Sequence, residues 1–181
     1  MSDLPKSAAG EESFAWLQQR LDEFEASSAF MASRAWQGRH PAGRSEKNIR
    51  GNALVDMIAI AENFSVLRLR GIDDTLTEDQ VSNWVKRKAE WKSRGVDFDS
   101  DLGGVWPAMS GFIEARNAVQ HGLGEITDMQ LGKKRRIDVL RGLGACGVLV
   151  DGGELRLFDS DVRHCAELCA TFILELDNRA P

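Results

Sequence analysis

Hydrophobic residues recur along this chain at the three- and four-residue spacing of amphipathic helices. From Glu11 to about Gln37, the residues Phe14, Leu17, Leu21, Phe24, Phe30 and Met31 form one such stripe. From Ser45 to about Arg70, Leu54, Val55, Met57, Ile58, Ile60, Ala61, Phe64 and Leu67 cover most of a helix circumference. A helix apolar nearly all round belongs at the centre of its bundle. Gly38 to Arg44, with its glycines and Pro41, predicts the loop between these two helices. Thr77-Glu78-Asp79-Gln80 has the form of a capping box with an acidic first turn. It predicts a third helix through Val81, Trp84, Val85 and Trp91, ending near Gly95, followed by an Asp- and Gly-rich loop to Trp106. Pro107 then opens a fourth helix, where its missing N–H costs nothing, and Gly122 and Gly124 end it. A second capping box, Thr127-Asp128-Met129-Gln130, starts a fifth helix anchored by Ile137 and Leu140.

The period then changes. Val148-Leu149-Val150, Asp151-Gly152-Gly153 and Leu155-Arg156-Leu157-Phe158 predict a β-hairpin at about residues 147–158. A lone hairpin is marginal, so it must lie on the bundle. Ser160 is placed to cap a last helix reaching about Asp177. The expected fold class is mainly α: one antiparallel helical bundle over residues 11–177 with a short appended β-hairpin, preceded by a disordered stretch at residues 1–10.

Composition narrows the classes. The chain has 181 residues, 43% hydrophobic and 28% charged, as in ordinary soluble globular domains. A net charge of −5 removes any global attraction to nucleic acid, so such a partner would need a local basic patch. Three cysteines, an odd number, fit a reducing compartment better than a disulfide framework. The first residues lack a signal-peptide pattern, and no apolar run is long enough to span a membrane. A cytoplasmic protein without a membrane partner is expected.

The fourth helix concentrates unusual side chains. Arg116 falls within the stripe of Met109, Phe112, Ile113 and Val119, where a cation is costly unless paired. Glu62, at an apolar angle of the second helix, is the expected partner. Asn117 and His121 lie one turn apart on the polar side, near Ser110 and Glu114. A histidine in a last helical turn feels the negative end of the dipole. On spacing alone, these residues read as a structural Arg–Glu pair plus a helix-capping histidine.

Lys133-Lys134-Arg135-Arg136, about a dozen residues after His121, is either a solvated face or part of an RNA phosphate track. Arg39, Arg44, Lys47 and Arg50 form a second such candidate. Gly142-Leu143-Gly144-Ala145-Cys146-Gly147 matches a dinucleotide-binding glycine pattern, but here helix precedes strand, and the pattern requires the reverse. It reads instead as a helix stop and tight connection. His164, Cys165 and Cys169, with Cys146 upstream, lack zinc spacing. Cys165, Cys169, Phe172 and Leu176 form one helical core stripe, so neither metal nor cofactor is expected.

Arg116-Asn117-Ala118-Val119-Gln120-His121 resembles the Arg-x4–6-His motif of the HEPN superfamily, in which a polar residue, often Asn, follows the arginine. The continuation into Gly122-Leu123-Gly124, a Thr-capped helix and a hairpin is similar to bacterial HEPN proteins of toxin and phage-defence type. The resemblance covers about residues 45–177. The stripe at 11–37 would extend the bundle or serve dimerisation. Family members are α-helical bundles, often dimeric, and many are metal-independent endoribonucleases. The resemblance therefore implies catalytic roles for Arg116, Asn117 and His121. It also implies an RNA substrate cleaved by 2′-OH attack, a homodimer, and a cognate antitoxin as a further partner. One departure stands out. Toxins silenced by nucleotidyltransferase partners carry a tyrosine two residues after the histidine, whereas this position is Leu123 and the chain has no tyrosine. The alternatives are a catalytically silent bundle that binds RNA or a partner protein, and an antitoxin-like interaction subunit.

Overall fold

Side-chain caps at Ser7, Thr77, Asn83 and Asp97 set four of the helix starts. The computed structural model of the chain describes residues 4–33, 42–127, 130 and 136–181, without the side chains of residues 42–45. Among these lie eight helices: α1 (Ala8–Ala32), α2 (Ala42–Ile72), α3 (Glu78–Val81), α4 (Trp84–Ser93), α5 (Phe98–Asp101), α6 (Trp106–Gly122), α7 (Arg136–Ala145) and α8 (Asp159–Arg179). Strands β1 (Leu149–Asp151) and β2 (Glu154–Arg156) pair antiparallel across Gly152–Gly153, both at positive φ. The fold is a mainly α bundle with a short hairpin. Trp36, Arg39, Lys133, Lys134, Arg135 and the side chain of Arg44 lie outside the described residues.

As its composition requires, α2 is central. It packs against α1, α4, α6 and α8, burying Leu54, Met57, Ile58, Ala61, Phe64 and Leu69. Leu67, expected in that stripe, is instead exposed. From α8 come Cys165, Cys169, Phe172 and Leu176, all buried. Trp84, Phe98, Trp106 and Phe172 meet in one aromatic cluster, with centroid separations between 4.9 and 6.4 Å.

Several boundaries differ from the expectation, each for a physical reason. The first helix starts at Ala8 rather than Glu11: Ser7 caps α1 by accepting from Gly10 N at 3.1 Å, and Asp177 accepts from Lys6 N and Ser7 N. At the other end, α8 runs on to Arg179. The second helix begins at Ala42, within the expected loop. The third helix is two helices, because Asn83 caps a new start by accepting from Lys86 N at 3.1 Å. The loop before Trp106 contains α5, capped by Asp97. In α7 the anchors are Val139 and Leu143, while Ile137 is exposed. Phe158, not Ser160, precedes α8, its N–H held by Asp161 Oδ2 at 2.8 Å.

The Gly142 pattern has a packing role. Gly142 sits inside α7 and meets Gly111 of α6; a Cβ on Gly111 would collide with the Gly142 carbonyl and with Cys146 Sγ. The two backbones touch there because neither residue carries a side chain. This contact holds α7 against the helix that carries the candidate site.

Candidate functional site

Pro107 lies in the first turn of α6, and the helix runs through Gly122. Its left-handed terminal residue is Leu123 (φ 54°), not a glycine, and the Leu123 side chain is exposed. An L-residue pays about 1 kcal/mol or more in that conformation. Gly124 N closes the end on Ala118 O at 3.0 Å.

Around α6, Phe112, Ala115 and Ala118 point into the core. Asn117 is half-buried and His121 exposed, on the side away from that core. His121 makes no hydrogen bond or ion pair among the described residues. Glu114, expected on this polar side, is buried. The Gln130 amide covers it, donating to the Glu114 carbonyl at 3.0 Å and to its carboxylate at 3.2 Å. Gln130 is also the last residue of the second capping box: its Oε1 accepts from Thr127 N, and its own N–H reaches Thr127 Oγ1. One glutamine thus ties Thr127 to Glu114 of α6.

Arg116 lies at the edge of the apolar stripe, where α6 meets α2. Its Nη2 is 2.5 Å from Glu62 Oε2, and its Nη1 donates to Gln120 Oε1 at 3.1 Å. Both charged side chains are largely buried, with 18% and 19% of their surface exposed. The other Glu62 oxygen faces a second arginine, Arg87 of α4, at 3.9 Å. Sequence reasoning missed Arg87. Its burial depends on the break after α3, which frees the Val81 carbonyl to accept from Arg87 Nε at 2.9 Å. Two guanidinium groups and one carboxylate therefore share the place where α2, α4 and α6 meet.

The basic runs are less concentrated. Of the first, only Arg136 is described, exposed at the start of α7. Of the second, Lys47 pairs with Glu154 at 2.5 Å and Arg50 with Asp159 at 2.6 Å, so acidic side chains already engage both cations. Among the described residues, no three His, Cys, Asp or Glu side chains are grouped to hold a metal, and no helix is long and apolar enough to cross a membrane.

Compared with family models, with curated proteins and with solved structures, the chain matches none.

Proposed function

We propose that this chain is a homodimeric, metal-independent endoribonuclease of HEPN type, acting in the cytoplasm as a toxin or antiphage effector. The observation that carries the reading is the arrangement on α6. A paired but net-positive guanidinium cluster at Arg116 lies on the same helix as Asn117 and an exposed His121. RNA cleavage without a metal needs these groups. The substrate 2′-oxygen attacks the adjacent phosphorus while a base takes the hydroxyl proton. The P–O5′ bond breaks as an acid protonates the departing oxygen. Arg116 stabilises charge on the non-bridging oxygens, and Asn117 orients the phosphate. The His121 imidazole can serve as base or acid. A two-fold dimer with facing α6 helices supplies one histidine for each role.

The test is cleavage of single-stranded RNA in EDTA. Expected products are a 2′,3′-cyclic phosphate and a 5′-hydroxyl, with the matching DNA uncut. His121→Ala should lose at least about 10²-fold. A 5′-phosphate product, cleavage of DNA, or loss of activity in EDTA would overturn the mechanism. The close Glu62–Arg116 pair favours a second reading, in which Arg116 is only a structural tie and the bundle binds RNA or a partner protein without cutting. Tight RNA binding without cleavage by the wild type would select it.

A further inference from the structure

We propose that Arg87 is a positioning residue for Arg116. By facing the second oxygen of Glu62, it leaves the triad with one net positive charge and keeps Arg116 receptive to a phosphoryl oxyanion. The inference rests on the reading of Arg116 as the phosphate-binding group.

Arg87 is fixed on three sides. Its Nε donates to the Val81 carbonyl, its guanidinium lies 4.5 Å above the Trp84 ring, and its Nη2 faces Glu62. Only 8% of the side chain is exposed. At 3.9 Å the contact with Glu62 is too long for a hydrogen bond, so Arg87 acts on the carboxylate through charge. Burial pushes the Arg87 pKa down, Glu62 raises it again and Arg116 lowers it further. An arginine nonetheless stays protonated.

Without Arg87, Glu62 and Arg116 would be a closed neutral pair, and the carboxylate would repel an incoming phosphate. With it, two cations share one anion. The unmet hydrogen-bonding capacity of the two arginines is also all donor: among the described residues, Arg87 Nη1 and Arg116 Nε are buried without hydrogen-bond partners. Such a cluster suits a ligand that only accepts. Arg116 and Glu62 retain some exposure, whereas Arg87 is covered, so the anion meets Arg116 and Arg87 acts from behind.

The experiment compares the full chain with Arg87→Gln, Glu62→Gln and the double variant, which give the triad net charges of +1, 0, +2 and +1. Each is titrated with inorganic phosphate by NMR of the arginine Nε–H groups, then with a single-stranded oligoribonucleotide and its DNA counterpart. Circular dichroism and Tm check folding. Arg87→Gln should weaken phosphate binding about tenfold, the scale of one lost charge near the site, and the double variant should recover it. A double variant weaker than Arg87→Gln would mean that the residues act only as packing, and would overturn the proposal. Should Arg87→Gln not fold, Arg87→Lys keeps the charge and should keep phosphate binding; its loss would also overturn the proposal. Phosphate binding that follows triad charge, with no RNA displacing it and none cleaved, would support this inference and refute the nuclease reading. RNA cleavage indifferent to Arg87→Gln would do the opposite.

Discussion

Replacing Asp177 by alanine tests how the two ends of the described chain are held together. The Asp177 side chain is fully buried and accepts from Lys6 N at 2.6 Å, Ser7 N at 2.8 Å and Arg68 Nε at 2.8 Å. It thereby joins the entry to α1, the central helix α2 and the last helix α8. A hydrogen bond to a charged group contributes about 1.5–3 kcal/mol net, but the three are not additive, because the freed groups regain water. Removing one partner of a buried ion pair costs about 3–5 kcal/mol. Arg68 keeps 18% of its side chain in solvent, which points to the lower end, about 3 kcal/mol. For a domain of this size, 1 kcal/mol moves Tm by roughly 2–4 °C, so a fall of about 9 °C is expected at pH 7.

The pH dependence supplies a second check. Burial alone would raise the Asp177 pKa, but the hydrogen bonds from Ser7 and Lys6 and the Arg68 guanidinium outweigh it and hold the carboxyl below its usual 3.8. A carboxyl depressed in the folded state contributes stability that is present above the unfolded pKa of about 3.9 and is lost as pH falls through the folded value. Below about pH 4, Asp177→Ala should therefore lose less stability on further acidification than the wild type. Thermal unfolding followed by circular dichroism at pH 7 and pH 3 measures both effects. A Tm change within about 2 °C at pH 7 would refute the reasoning, since it corresponds to under 1 kcal/mol.

Two further predictions follow from packing. Gly111→Ala drives a methyl group into the Gly142 carbonyl and should cost at least about 1–3 kcal/mol, measured by urea unfolding; an unchanged midpoint would mean that α6 and α7 separate freely. Cys146, Cys165 and Cys169 are buried, and burial pushes the Cys146 thiol up to about 11, so iodoacetamide at pH 8 should leave all three unmodified until urea is added. Rapid labelling of the native protein, seen by mass spectrometry, would contradict that burial.

Much of the fold was legible because it depends on neighbours in the chain. The apolar circumference of residues 54–64 identified the central helix, since no other position could bury so many faces. The capping boxes at Thr77 and Thr127 and the Gly152–Gly153 turn are local hydrogen-bond and φ requirements, and all three occur. The break at Ser82–Asn83 was concealed because Val81, Trp84 and Val85 keep a helical spacing across it, although Val85 is exposed in the fold. Asn83 carried the signal, as an N-cap side chain three residues before Lys86 N.

By itself the sequence determined that Arg116, Asn117 and His121 share one helix, that Arg116 needs an acidic partner, and that Glu62 sits at an angle able to supply it. Only the tertiary structure decided the rest. It brought Arg87 to the same carboxylate from a helix separated from α2 by α3 and from α6 by α5. It buried Glu114 beneath Gln130 and seated Gly142 on Gly111. Helical period fixes which residues share a face of one helix. Which charges meet across helices depends on crossing points and axial offsets, and those are set by the whole core at once.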